Sequence, residues 1–160
     1  MTETRPALPT TLLIAFVTAA TAGLGAAVLS GTSHEWYMSL DKPGLYPPAA
    51  SFTIIWPILF TLMAFGAVLV RIKAGSFRAA SGALGLFFTQ LALNLSWGWL
   101  FFAFHQPWLS MAALVALWLL IIAMMRAFSK HSVAAAVLQI PYLLWVTFGG
   151  YLNGSIAALN

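Results

Sequence analysis

Residues 80–104 read ASGALGLFFTQLALNLSWGWLFFAF, a stretch without one charged side chain. About 20 apolar residues in a helix are enough to cross the roughly 30 Å hydrocarbon core of a bilayer. Similar uncharged runs cover residues 11–30, 49–70, 108–125 and 132–153. The sequence therefore predicts an all-α integral membrane protein, a bundle of five transmembrane helices.

Composition supports this prediction and excludes most soluble classes. Hydrophobic residues make up 62% of the chain and charged residues 6%, far below the roughly 25% charged residues of an average soluble domain. A length of 160 residues fits a single membrane domain over residues 1–160. The first run is longer than the 7 to 15 residues of a usual signal-peptide core, so we expect it to remain as a helix. The absence of cysteine excludes disulfides and thiolate metal sites.

The charges are distributed unequally between the two sides of the predicted bundle. Five crossings place the N-terminus, the second connection and the fourth connection on one side. That side carries six of the seven basic residues, namely Arg5, Arg71, Lys73, Arg78, Arg126 and Lys130. The positive-inside rule then predicts a cytoplasmic N-terminus and an external first loop if the protein lies in an inner membrane. The net charge of +4 is thus a topology signal, and no clustered basic face indicates nucleic acid as a partner.

The first connection, residues 31–48, is too polar to cross a membrane and too aromatic for a passive linker. It contains Trp36 and Tyr37 and ends in the pair Pro47-Pro48, which favours stiff, extended backbone. We expect this loop to pack as a lid on the bundle. The alternative is an interfacial loop whose two aromatic side chains only anchor it among the headgroups.

Three runs each place aromatic or amide side chains along one helix face. These stripes are Trp56, Phe60 and Met63; Gln90, Asn94, Trp97 and Phe101; and Tyr142, Trp145, Gly149 and Leu152. Six of the seven tryptophans, all except Trp118, fall in the half of the membrane nearest the first loop. Interfacial anchors would instead be split between both sides, so this asymmetry indicates an aromatic binding site. The alternative role for the amides, and for Asn153, is to hold helices together by hydrogen bonds.

Small residues and prolines give two further expectations. Ala19, Gly23 and Ala27 recur at four-residue spacing, as do Ser81 and Gly85, which allows close helix approach within one chain or in a homodimer. Pro57 and Pro141 lie inside apolar runs and remove backbone donors. We expect kinks there, beside the proposed pocket.

Three ordered motifs resemble one family of membrane proteins. They are Trp36-Tyr37 with Lys42-Pro43 and Pro47-Pro48, the stretch from Gln90 to Asn94 with Trp97, and the stretch PYLLWVTFGGYLN over residues 141–153. The chain resembles the TspO/MBR family, which includes the tryptophan-rich sensory proteins of bacteria and the mitochondrial translocator protein, once called the peripheral benzodiazepine receptor. The resemblance covers nearly the whole chain.

The resemblance implies a receptor or sensor for tetrapyrroles such as protoporphyrin IX or haem, and for similar flat hydrophobic ligands, with the first loop as roof of the pocket. Porphyrin or haem would be a ligand, and no cofactor would be required. With the aromatic stripe of the second run included, the predicted ligand-binding residues are Trp36, Tyr37, Trp56, Phe60, Asn94, Trp97, Trp108, Tyr142, Trp145, Phe148 and Gly149. Of these, Trp56, Trp97 and Trp145 would face one cavity, with Trp36 and Trp108 nearer its mouth and Trp99 facing elsewhere.

Two other functions stay open. The protein would be a transporter of porphyrin or lipid-like ligands, or it would promote light-dependent porphyrin breakdown with Trp56 and Trp145 exchanging electrons with the bound pigment. Proton-driven pumping has little support because no ionisable side chain lies at mid-membrane, and no catalytic constellation or metal site is assigned. We expect ligand propionates to meet Lys42 or His34, and only Met63 or Tyr142 offers a weak iron ligand within the membrane.

Overall fold

The computed structural model describes residues 8–28 and 32–160, and every regular element in these residues is helical. The helices are α1 (Leu8–Val28), α2 (Thr32–Ser39), α3 (Ala49–Lys73), α4 (Phe77–Gly98), α5 (Pro107–Ser129), α6 (Val133–Val137) and α7 (Ile140–Leu159). A π-helical turn, Trp99–Ala103, continues α4.

Five of these segments are long and apolar enough to cross a membrane: Leu8–Ala27, Ala50–Lys73, Phe77–Ala103, Pro107–Ser129 and Val133–Leu159. The predicted five-helix membrane bundle is confirmed. The helices extend past the uncharged runs and include Lys73, Arg78 and Arg126 at their ends. These three side chains are exposed, since long basic side chains extend from a helix end toward the polar interface. Arg71, which the sequence placed in a connection, lies instead inside α3 and is buried.

The two prolines act differently. Pro57 lies inside α3, where the hydroxyl of Thr61 donates to its carbonyl at 2.7 Å. Pro141 lies in the first turn of α7, because the predicted fifth helix is interrupted between Val137 and Ile140. A proline is tolerated in a first turn, where its missing N–H would have no partner anyway. Instead of the expected kink at Pro141, the helix is interrupted just before it, between α6 and α7.

The core runs through the end of the bundle opposite α2 and is filled by large apolar side chains. Met63, Leu84, Phe87, Leu117 and Ile121 are fully buried. The side-chain amide of Gln139 lies directly against Gly66, so a Cβ at residue 66 would collide with it. The position of the Gln139 side chain therefore requires a residue without a Cβ at position 66 of α3. This contact joins α3 to the start of the fifth crossing.

Four residues of the small-residue stripes are exposed on the described part of the chain. Ala19, Gly23, Ser81 and Gly85 are exposed, and a Cβ added at either glycine would meet no atom within 4 Å. These residues do not mediate packing inside the described part of one chain. A homodimer remains a prediction.

Candidate functional site

The α2 segment packs on the π-helical turn at the end of α4. The Trp36 ring stacks on His105 with centroids 4.1 Å apart and meets Phe101 edge to face at 5.6 Å. Tyr37 makes edge-to-face contacts with Phe101 at 6.1 Å and Phe102 at 5.3 Å. Such aromatic pairs stabilise by about 0.5–1.5 kcal/mol beyond their buried area. This packing favours the lid over the passive interfacial anchor, and we call residues 32–48 the lid.

Lys42 closes the end of the lid helix. Its Nζ donates to the carbonyls of Tyr37 at 2.9 Å, Leu40 at 3.0 Å and Met38 at 3.3 Å. A cation in this position satisfies carbonyls left open at a helix C-terminus and interacts favourably with the helix dipole. All three ammonium donors are therefore used, so Lys42 is unsuited to the expected role of binding ligand propionates.

Two further contacts involve the lid: Tyr37 lies beside Tyr46, and Asn160 pairs with Asp41. Burial raises the pKa of Tyr37 far above its usual value, and the neighbouring Tyr46 hydroxyl adds to the increase, so Tyr37 stays neutral. The Asp41 amide donates to Oδ1 of Asn160 at 2.9 Å, and Nδ2 of Asn160 donates to the Asp41 carbonyl at 3.1 Å. This reciprocal pair connects the lid to the end of α7.

The π-helical turn changes the direction of the side chains that meet the lid. The Phe104 amide donates to the Trp99 carbonyl at 2.9 Å, five residues back, which widens this turn. As a result Phe101 is buried and Phe102 turns toward the bundle interior, while Trp99 is exposed. The chain then reverses through His105, whose φ of 54° lies in the left-handed region.

Below the lid lies a cavity of about 470 Å³, here called the large cavity. Its walls come from the lid, α1, α3, α4 and the π-helical turn. They include Tyr37, Tyr46, Phe52, Trp56, Phe60, Trp97 and Phe102, with His34, Thr53 and Asn94 among the polar groups and Ala22, Gly25 and Ala26 on α1. Volumes of 300–1,000 Å³ are typical of small-molecule sites. The large cavity has the size and the aromatic lining of such a site.

A second cavity of about 40 Å³, here called the small cavity, lies on the other side of Trp56 and Trp97. Those two rings line both cavities, and their centroids are 6.1 Å apart. The small cavity is bounded by α5 and α7 through Leu114, Trp145, Phe148 and Gly149, among others. It is too small for a drug-sized ligand as it stands.

Amide side chains form a buried network beneath both cavities. The Tyr142 hydroxyl donates to Oε1 of Gln90 and accepts from Nδ2 of Asn94, each at 2.9 Å, and Nε2 of Gln90 contacts the Met63 sulfur at 3.6 Å. Gln90 therefore connects helices, as the alternative interpretation held. Met63 and Tyr142 are fully buried and already engaged, which makes them poor iron ligands. Asn94 differs because it also lines both cavities.

A second junction connects α4, α5 and α7 at Asn153. Its Oδ1 accepts from Nε1 of Trp97 at 3.0 Å and lies 2.8 Å from the Ser110 hydroxyl, while its Nδ2 donates to the Pro107 carbonyl at 2.8 Å. This junction orients the Trp97 ring that separates the two cavities.

Residues 12–159 match the model of the TspO/MBR family. The chain belongs to this family. It is 38% identical over 127 residues to "Tryptophan-rich protein TspO" of Chlorobaculum tepidum, covering 78% of this chain and 79% of that protein. It is 35% identical to "Protein CrtK" of Rhodobacter capsulatus over 94% of this chain and 93% of the relative, and 37% identical to the "Translocator protein" of Bos taurus over 81% and 78%.

Family membership and the names of these relatives support a membrane receptor or translocator role. With five apolar helices, the chain is a multi-pass integral membrane protein. Within this TspO/MBR member, the structure divides the predicted binding residues into three groups. Tyr37, Trp56, Phe60, Asn94 and Trp97 line the large cavity, and Trp145, Phe148 and Gly149 line only the small one.

The remaining three predicted residues lie elsewhere. Trp36 stacks on His105 where the lid packs against the end of the π-helical turn, Tyr142 lies in the buried amide network, and Trp108 is 65% exposed. None of the three lines either cavity. The expectation that Trp56, Trp97 and Trp145 share one cavity holds for the small cavity, while Trp145 does not reach the large one.

Sequence reasoning missed several lining residues. Phe52 lies four residues before Trp56 and extends its stripe, so helical spacing was a sufficient signal for it. Phe102 could not be predicted to line the cavity, because its direction depends on the π-helical turn, which has no signature in this sequence. Ala22 and Gly25 were missed because a lining residue without bulk carries no chemical signal.

Proposed function

We propose that this protein is a membrane receptor that binds a tetrapyrrole, such as protoporphyrin IX or haem, or a similar flat hydrophobic ligand, in the large cavity. The observation that carries this proposal is a space of about 470 Å³ under the lid, walled largely by aromatic rings. A flat conjugated ligand buries much apolar area there and can stack on the faces of Trp56 and Trp97.

Polar groups in the walls are placed to orient such a ligand. His34 lines the large cavity from the lid and takes the role of meeting an anionic propionate, since Lys42 is occupied by three carbonyls. Asn94 lines the same cavity, and its amide nitrogen is held by Tyr142, which leaves its Oδ1 as an acceptor for a pyrrole N–H. A few polar groups in an apolar pocket are the usual source of orientation.

The proposal is tested by filling the large cavity from α1. Gly25 lines it and Gly23 does not, and a Cβ at either position meets nothing within 4 Å. Gly25→Leu and Gly23→Leu therefore make the same chemical change on one helix, and only the first reduces the cavity. We expect Gly25→Leu to weaken protoporphyrin IX binding about tenfold or more, since overpacking costs about 1–3 kcal/mol. Saturable quenching of tryptophan fluorescence in the dark measures the affinity.

Equal affinities in the two variants would contradict the assignment to the large cavity. Absence of saturable quenching in the unmodified protein would contradict tetrapyrrole binding itself. The same samples are then illuminated in air while the porphyrin absorption bands are followed. Stable bands support a receptor, whereas loss of the bands that depends on Trp56 and Trp145 would favour light-dependent breakdown, and uptake into proteoliposomes would favour transport.

A further inference from the structure

Arg71 is a charged side chain buried at the end of the bundle opposite the lid. It lies in the last turn of α3, one turn after the fully buried Ala67, and only 6% of its surface is exposed. Its Nε is buried without a hydrogen-bond partner. The other basic side chains of this end, among them Lys73, Arg78, Arg126 and Lys130, are exposed to their surroundings. Among the described basic residues of this end, Arg71 is the one that is buried.

A buried guanidinium needs an anion, because a charge removed from water without a partner is strongly unfavourable. The chain has three acidic residues, Glu3, Glu35 and Asp41. Glu35 and Asp41 belong to the lid, and 22 residues of α3, about 33 Å of helix, separate the end of the lid from Arg71. Glu3 lies outside the described residues. The described part of the chain therefore provides no carboxylate for Arg71.

The chemistry of the position selects the missing anion. A guanidinium presents planar paired donors that match the oxygens of a phosphate. Arg71 is two residues from the end of a membrane-spanning helix, a depth close to the phosphate groups of a bilayer. The exposed basic residues around it attract anionic lipid to the same surface, and basic pockets between transmembrane helices are known binding sites for anionic headgroups.

We propose that Arg71 is the centre of a binding site for one anionic phospholipid, whose phosphate pairs with the guanidinium at the basic end of the bundle. This site is separate from the large cavity and does not depend on tetrapyrrole binding. The lipid would supply the counter-ion that the described part of the protein lacks. Its effect would be to stabilise the end of α3 when anionic lipid is present.

Binding is measured by native mass spectrometry of the protein in neutral detergent with added phosphatidylglycerol or phosphatidylcholine. We expect the unmodified protein to retain one phosphatidylglycerol at low lipid concentration and to show no comparable adduct with phosphatidylcholine. Arg71→Met should lose that adduct. The matched control Arg126→Gln removes an exposed charge from the same end and should retain it. Equal loss in both variants would indicate general attraction to a basic surface and overturn the proposal.

Thermal unfolding supplies a second readout, because it compares the stability of each protein with and without anionic lipid. Without anionic lipid, Arg71→Met should be as stable as the unmodified protein or more so, because it removes a buried charge without a partner. With saturating phosphatidylglycerol, the unmodified protein should gain about 5 to 10 °C and Arg71→Met should not. A large loss of stability in lipid-free detergent would instead show that the protein itself pairs Arg71, and Glu3→Gln with the same loss would identify that partner. An equal gain with inorganic phosphate alone would assign the site to a free anion and overturn the lipid.

Discussion

At the scale of single residues, Asn153 has the most consequences. One amide holds Trp97 of α4, Ser110 and the Pro107 carbonyl of α5 from its position on α7. Hydrogen bonds inside membranes contribute about 0.6 kcal/mol each on average. Three contacts at one buried residue make Asn153→Ala a destabilising change of about 2 kcal/mol, because it also leaves Nε1 of Trp97 without a partner. Detergent-denaturant titration in mixed micelles, followed by tryptophan fluorescence, measures the change.

Ser96→Ala is the matched control for that measurement. Ser96 is exposed on α4, one residue from Trp97, and its hydroxyl bonds only to the Ala92 carbonyl of its own helix at 2.9 Å. We expect a change below about 0.5 kcal/mol there. If Asn153→Ala were no more destabilising than Ser96→Ala, the junction would not hold α4, α5 and α7 together.

At the scale of elements, the sequence predicted the five crossings because their signal is long and continuous. Uncharged runs and the 3.6-residue period also located the stripes that carry Trp56, Asn94 and Trp97, which line the large cavity. The π-helical turn was not predictable, since it differs from an α-helix by one hydrogen-bond register and by no residue type. The exposure of Trp108 was also missed: its ring, in the first turn of α5, is 65% exposed and lines neither cavity.

The lid is the element whose attachment is most open to test. The side chain of Asn160 pairs with both backbone groups of Asp41. Asn160→Ala removes both hydrogen bonds, each worth about 0.5–1.5 kcal/mol net, so local opening of the lid should become about tenfold more frequent. Hydrogen–deuterium exchange of peptides that include Asp41 should speed up accordingly.

Leu159→Ala is the control for this experiment, since Leu159 is also exposed in the last turn of α7 but has no contact of this kind with the lid. Its exchange near Asp41 should match the unmodified protein. Faster exchange in both variants would point to fraying of α7. Unchanged exchange in Asn160→Ala would show that the aromatic contacts of Trp36 and Tyr37 hold the lid without this pair.

At the scale of the whole molecule, the two ends of the bundle differ in chemistry. The lid end carries the aromatic cavity and two of the three acidic residues, and the opposite end carries Arg71 and the exposed basic residues. A bilayer imposes an orientation on such a molecule, because basic connections are retained on the cytoplasmic side during insertion. The large cavity would then open toward the external leaflet, while the lipid site at Arg71 would meet the cytoplasmic leaflet.

This orientation is testable because the chain has no cysteine. Leu45→Cys introduces a thiol in the lid, where residue 45 is 67% exposed, and Ser129→Cys introduces one at the exposed end of α5 without changing the basic residues. In intact bacterial spheroplasts, a membrane-impermeant maleimide should label Leu45→Cys at once and Ser129→Cys only after permeabilisation. The unmodified protein gives the background. Labelling in the reverse order would indicate the opposite orientation. Labelling of both sites in intact spheroplasts would indicate a mixture of two orientations. Either result would show that the six basic residues do not determine insertion.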